Sequence, residues 1–136
     1  MSASTSGPSA WPRFFPADCP PDSAPLASGS AYRLVRSNPP AAADFQSYAE
    51  RGVKPDDGDE CKACALSVYR GLDDILALRR TAKGFRRRSI AEGPLSVGSL
   101  AHTPSTPTST HHSWWIPDGA KVHDGFSVVC GPEAAT

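Results

Sequence analysis

Apolar and polar positions alternate along much of the chain, and helical spacing interrupts that alternation only in the first half. Residues 31–36 (AYRLVR) put Tyr32 and Leu34 on one side of an extended segment and Ala31, Arg33 and Val35 on the other, the period of two that marks a strand. Asn38-Pro39-Pro40 stops it, because proline gives no N–H to a ladder and constrains the residue before it. The same prolines suit the start of a helix. Ala42, Phe45, Tyr48 and Ala49 form an apolar stripe that predicts one over about 41–51, ended by Gly52. After a polar loop over 53–60, residues 64–70 (CALSVYR) alternate again and predict the central strand. Gly71 leads into a second helix over about 72–83, with Leu72, Ile75, Leu76 and Arg79 at helical spacing. Asp73 and Asp74 in its first turn, and Arg79, Arg80 and Lys83 in its last, oppose the helix dipole at both ends.

From Phe85 onward the pattern is extended. Residues 85–92 and 95–101 read as strands meeting at Gly93-Pro94, and 103–110 (TPSTPTST) as a mobile loop. Residues 111–115 (HHSWW) and 126–130 complete the set. Strands that follow one another without helical crossovers pair antiparallel, so the expected fold is α+β: a small, mostly antiparallel sheet with two helices in the N-terminal half. Residues 1–30, rich in Pro, Ser and Ala, read as an extended, partly disordered arm, tacked down near Trp11, Phe14 and Phe15. Residues 31–131 form the single domain and 132–136 a tail.

Charge adds a distribution rather than a sum. Fourteen acidic and fourteen basic residues cancel, yet residues 44–60 hold six acids against two bases and residues 70–88 seven bases against two acids. No apolar run approaches the roughly 20 residues that span a bilayer. The start of the chain lacks a basic segment followed by an apolar one, so no secretion signal is expected. Four scattered cysteines, Cys19, Cys61, Cys64 and Cys130, do not read as a disulfide framework. The expectation is a cytoplasmic protein with reduced thiols and no membrane partner.

The densest chemistry lies in HHSWW. As a strand it sets His111, Ser113 and Trp115 on one face and His112 and Trp114 on the other, each face carrying an imidazole beside an indole. One reading buries the indoles as core. The other opens His111, His112, Trp114 and Trp115, with Arg33, onto a ligand that the rings grip and the imidazoles titrate against.

Three other groups carry chemistry with a plain structural alternative. Cys61-Lys62-Ala63-Cys64 has the CxxC spacing of a zinc half-site but no matching second half, so no metal site is assigned. Arg79, Arg80, Lys83, Arg86, Arg87 and Arg88 form a basic run that either protects an edge strand or meets the phosphates of nucleic acid. Glu92, at a strand end beside Gly93-Pro94, is the carboxylate best placed for chemistry. Ser67 lacks the glycine-flanked elbow of a hydrolase nucleophile, and no phosphate-cradling glycine loop is present.

The series AYRLVRSNPP, then DF, then LSVY behind a cysteine, then HHSWW, resembles a group of small bacterial proteins without an assigned role, over about residues 19–130. Cys64 departs from that group's pattern. A looser likeness is to ADP-ribosyltransferases, which set an Arg or His on an early strand, a Ser or Tyr on a following strand and a Glu later. That likeness implies Arg33, Ser67 and Glu92 as its site, Ser67 and Glu92 as catalytic residues, and NAD as cofactor.

The leading expectation is a small bacterial domain that binds a ligand or partner through its His/Trp/Arg residues, such as a phosphate-bearing nucleotide or an RNA end, without a cofactor. The alternatives are an ADP-ribosyltransferase-like enzyme acting on NAD, and an antitoxin- or immunity-type interaction module without a pocket.

Overall fold

The structure, a computed structural model, describes residues 11–54, 58–104 and 109–132. Strands β1 (Ser30–Val35), β2 (Leu66–Tyr69), β3 (Ser89–Pro94), β4 (Ser99–His102), β5 (His111–Trp115) and β6 (Ser127–Cys130) form one antiparallel sheet in the order β4-β5-β2-β1-β3-β6. Helices α1 (Glu60–Ala63) and α2 (Leu72–Thr81) lie in the first part of the chain, which makes the domain α+β. Among the described residues no helix is long and apolar enough to cross a membrane.

Alternation assigns the two faces of the sheet. One face turns Ala31, Val35, Leu66, Val68, Ala91, Leu100 and Trp114 into the main core, closed by Phe45, Leu95 and Phe126. The other face is covered in two places. Over β1 and β3, α2 lays Ile75 and Leu72 against Tyr32, Leu34, Tyr69 and Ile90. At the far end, Trp11, Phe15 and Cys19 of the arm lie on Trp115 and Cys64. Between these covers runs a polar strip carrying Ser67, His111 and Ser113, which share this face because Ser67 pairs with Ser113 and Tyr69 with His111.

Several expected elements change. The helix over 41–51 contracts to one 3-10 turn, Ala42–Phe45. The Asp44 carboxylate accepts the N–H groups of Arg36 (2.7 Å), Ser37 (3.3 Å) and Ala41 (2.9 Å) and so caps the start of this turn. Gln46 is extended and, beyond it, Ser47 N–H bonds to Glu50 Oε1 (3.1 Å) and Glu50 N–H to Ser47 Oγ (3.2 Å), local bonds that compete with helix propagation. Phe45 then drops into the core while Tyr48 stays exposed. Strand β3 begins only at Ser89, because residues 83–85 form another 3-10 turn and the chain turns again before the strand. Strand β4 begins at Ser99, not at Leu95, whose side chain is core. The expected disorder at the start of the arm (1–10) and mobility of the loop (105–108) lie outside the described residues.

The cysteines overturn the expectation of reduced thiols. Cys61 is bonded to Cys19, 42 positions earlier, and only Cys64 and Cys130 are free. The CxxC is wound into α1, with Cys64 as its C-cap rather than in β2, so the zinc reading loses its first thiol. The bond staples the arm to α1. Residues just after it run along the outer edge of β4, where Ala27 N–H donates to Gly98 O and Leu100 N–H to Pro25 O, both at 2.9 Å.

Gly98 holds the turn into β4 at φ +83°, where a Cβ would run into the main-chain oxygen of Trp115. Gly98→Ala is therefore expected to lose about 2 kcal/mol or more of stability. A urea-denaturation midpoint equal to that of the wild type would disprove the close approach of this turn to β5.

Candidate functional site

The sheet is split at its centre. Strands β1 and β3 pair at six positions, but β1 and β2 pair only at Tyr32 with Tyr69. Beyond that pair the strands no longer bond, and main-chain groups in the gap need other partners. Arg33 supplies them. Its Nη1 donates to Ser67 O and its Nε to Asp44 O, both at 2.8 Å, while the guanidinium lies 5.4 Å from the centre of the Phe45 ring. Burial pulls the Arg33 pKa down to about 10 against the opposing pull of Asp44, and the side chain stays charged at neutral pH.

The split opens into a cleft of about 370 Å³. Arg33, Arg51 and Arg88 line it, with Ser67, Tyr48, Tyr69 and Phe85, and no carboxylate is among its described lining residues. Arg51 lies over Tyr48 (5.8 Å) and Arg88 over Phe85 (5.4 Å), so both cations rest on ring faces rather than on acids. Burial lowers the Arg88 pKa, and the like charges of Arg36 and Arg51 lower it further. Of the acids beside the cleft, Asp44 points its oxygens at the main chain and Glu50 is bonded to Ser47. Tyr69 is pushed up to about 12 by burial and remains a neutral phenol.

Ser67, exposed at this cleft, meets His111 across the β2–β5 ladder: His111 Nε2 is 2.9 Å from Ser67 Oγ. The other ring nitrogen, Nδ1, lies 2.8 Å from Thr103 O. A carbonyl oxygen only accepts, so the hydrogen sits on Nδ1 and Nε2 is the lone-pair nitrogen facing Ser67. Thr103 Oγ1 also lies 2.9 Å from Nδ1 and 2.9 Å from Ser113 Oγ, and the Tyr69 ring meets the imidazole edge-on at 5.2 Å. Burial holds the His111 pKa below its ordinary 6.5, against the Thr103 carbonyl, which raises it.

The residues expected to form one site are thus divided. Arg33, Ser67 and His111 come together. Trp114 and Trp115, expected to grip a ligand, are interior at 0 % and 3 % exposure, and their indole N–H groups donate to Val97 O and Cys61 O, each at 2.9 Å. Two large rings opposite apolar neighbours are worth more buried than open. His112 is on the opposite face from His111, 4.8 Å from the His102 ring, with Nδ1 at 2.7 Å from Thr110 O. Glu92 pairs with Tyr32 and Ser127, beyond β1 from Ser67; its carboxylate engages the Tyr32 hydroxyl and does not line the cleft.

The basic run is divided as well. Arg79 is buried, donating to Arg88 O (2.9 Å) and Gly131 O (2.6 Å); Arg88 enters the cleft; Arg80, Arg86 and Arg87 are exposed. Tyr48, Arg51, Tyr69 and Thr103 belong to the site without any motif pointing to them. Arg51 sits in the segment read as a helix end.

Fold and site together define a small α+β domain with an arginine-lined cleft at a split antiparallel sheet. No family model, curated protein or solved structure matches the chain.

Both His111 and His112 have depressed pKa values through burial. The unfolded chain therefore binds more protons than the folded one below pH 6.5, and stability is complete above that value and lost as pH falls through the folded pKa values. The expected outcome is an unfolding midpoint that drops between pH 7 and 5 and a smaller drop in His111→Gln. NMR titration placing the His111 imidazole above 6.5 would contradict this.

Proposed function

We propose that the protein binds a small phosphate-bearing ligand, of the size of a nucleotide or a nucleic-acid end, in the cleft beside Arg33. The observation that carries this reading is the set of three guanidinium groups lining one cleft without a carboxylate among them. Like charges held together are costly, and an anion among them removes that cost. Arginine forks match phosphate oxygens two at a time, which gives orientation as well as affinity. The cleft volume falls within the range of small-molecule sites, and the rings of Tyr48 and Phe85 offer apolar faces for a base or similar flat group. The indoles play no part in it, and His111 contributes from the side of Ser67.

The reading as an NAD-dependent transferase shares this ligand class and draws on the meeting of Arg33 and Ser67. It also asks for a carboxylate beside them, and Glu92 is outside the cleft. Binding without that transfer is the reading we favour.

Calorimetric titration with pyrophosphate and with ADP tests it. Binding that weakens about tenfold in Arg51→Ala and in Arg88→Ala, and that fades as salt rises, is the expected result. Binding of neither ligand at millimolar concentration, or equal affinity in both variants, would refute it.

A further inference from the structure

We propose that Ser67 and His111 are a nucleophile and its general base, and that the protein hydrolyses a carboxylic ester bearing an anionic group. The contact between them, 2.9 Å from Ser67 Oγ to His111 Nε2, is one that positions a hydroxyl proton for removal. The orientation of the base is fixed from behind: the Thr103 main-chain oxygen at 2.8 Å takes the Nδ1 hydrogen. An acceptor in that place does for the imidazole what a carboxylate does in a serine–histidine–aspartate triad, fixing the tautomer, though without a full negative charge to stabilise the imidazolium. Tyr69 against the ring edge and the Thr103–Ser113 hydroxyl pair restrain it further.

Ser67 itself is exposed, so a substrate carbonyl can reach its hydroxyl. A positive group lines the same cleft. Arg33 is anchored through Nη1 to the carbonyl of Ser67 and through Nε to Asp44, and its Nη2 has no acceptor among the described residues. That nitrogen is the donor we assign to the oxygen that becomes negative during attack.

The steps balance with water as the only co-reactant. Ser67 Oγ bonds to the ester carbonyl carbon as its proton passes to His111 Nε2. The tetrahedral adduct expels the alcohol oxygen, which leaves with the proton from the imidazolium, and an acyl group remains on Ser67. Water then attacks that carbonyl, giving its proton to Nε2. The C–O bond to Ser67 breaks, the proton returns to Oγ, and the acid is released. The choice of an anionic ester rests on the cleft reading above; the Ser67–His111 pair does not.

The test uses the full-length protein with a fluorophosphonate probe and two chromogenic esters, neutral 4-nitrophenyl acetate and the anionic half-ester mono-4-nitrophenyl succinate. The probe is expected to add to the Ser67 peptide, as seen by mass spectrometry. Ester turnover is expected to fall about 10²-fold or more in Ser67→Ala and His111→Gln. No adduct at Ser67, or unchanged turnover in Ser67→Ala, overturns the proposal; Ser67 is exposed, so that variant keeps the fold even if His111→Gln does not. Turnover lost in His111→Gln but kept in Ser67→Ala makes the imidazole the nucleophile and also overturns it. An adduct at Ser67 with no preference for the succinate half-ester upholds the pair and overturns the anionic substrate class.

Discussion

One guanidinium holds this domain at the point where its sheet comes apart. A six-stranded sheet that stops pairing in its middle leaves main-chain oxygens without the N–H groups that a continuous ladder supplies. Arg33 closes the account by bonding to Ser67 O on β2 and to Asp44 O in the turn behind β1. Two neutral acceptors and the face of Phe45 compensate the cation only in part, which is why its pKa falls while its charge persists. The same side chain that bridges the split therefore leaves positive charge in it. The cleft and its sign are consequences of one structural substitution, a side chain in place of a ladder.

The covers on the outer face of the sheet decide how much of that cleft is open. Helix α2 is held down at its C-terminal end by Arg79, whose bonds to Arg88 O and Gly131 O tie it to the start of β3 and the end of β6. The arm is held at the opposite end by the Cys19–Cys61 bond and by Trp11 and Phe15. Each cover is anchored at a distance from Ser67, and the strip between them carries small polar side chains that give neither cover an apolar surface to spread onto.

How far the sequence made this visible depends on the range of the forces involved. Local alternation placed His111, Ser113 and Trp115 on one face and His112 and Trp114 on the other, and the register bears that out. The antiparallel α+β class, helix α2 and strands β2 and β5 were readable for the same reason: their signals lie within a few residues. What alternation does not carry is which face is wet. Trp115 shares a face with His111 yet is covered, because an arm nearly a hundred positions away lies on it. The stripe at 42–49 satisfied helical spacing, but Gln46 is extended and Ser47 and Glu50 then exchange side-chain–main-chain bonds of their own, which ends the helix after one turn. Arg51 and Tyr48 entered the cleft only through that failure. The disulfide partners were equally out of reach, since no local pattern links Cys19 to Cys61.

Electrostatics ties the two halves of the site into one design. Groups around Ser67 are kept neutral or positive: the imidazole of His111 and the phenol of Tyr69 by burial, the guanidiniums by their chemistry. Lys62, His102 and His112 add to the pressure that keeps His111 unprotonated. A neutral imidazole with its lone pair aimed at a hydroxyl accepts a proton readily, and the imidazolium so formed sits among cations that disfavour it. That disfavour is removed when negative charge develops on a substrate beside Arg33, because the oxyanion and the imidazolium arise together. On the proposed hydrolysis, the field would penalise proton transfer without substrate and permit it with one.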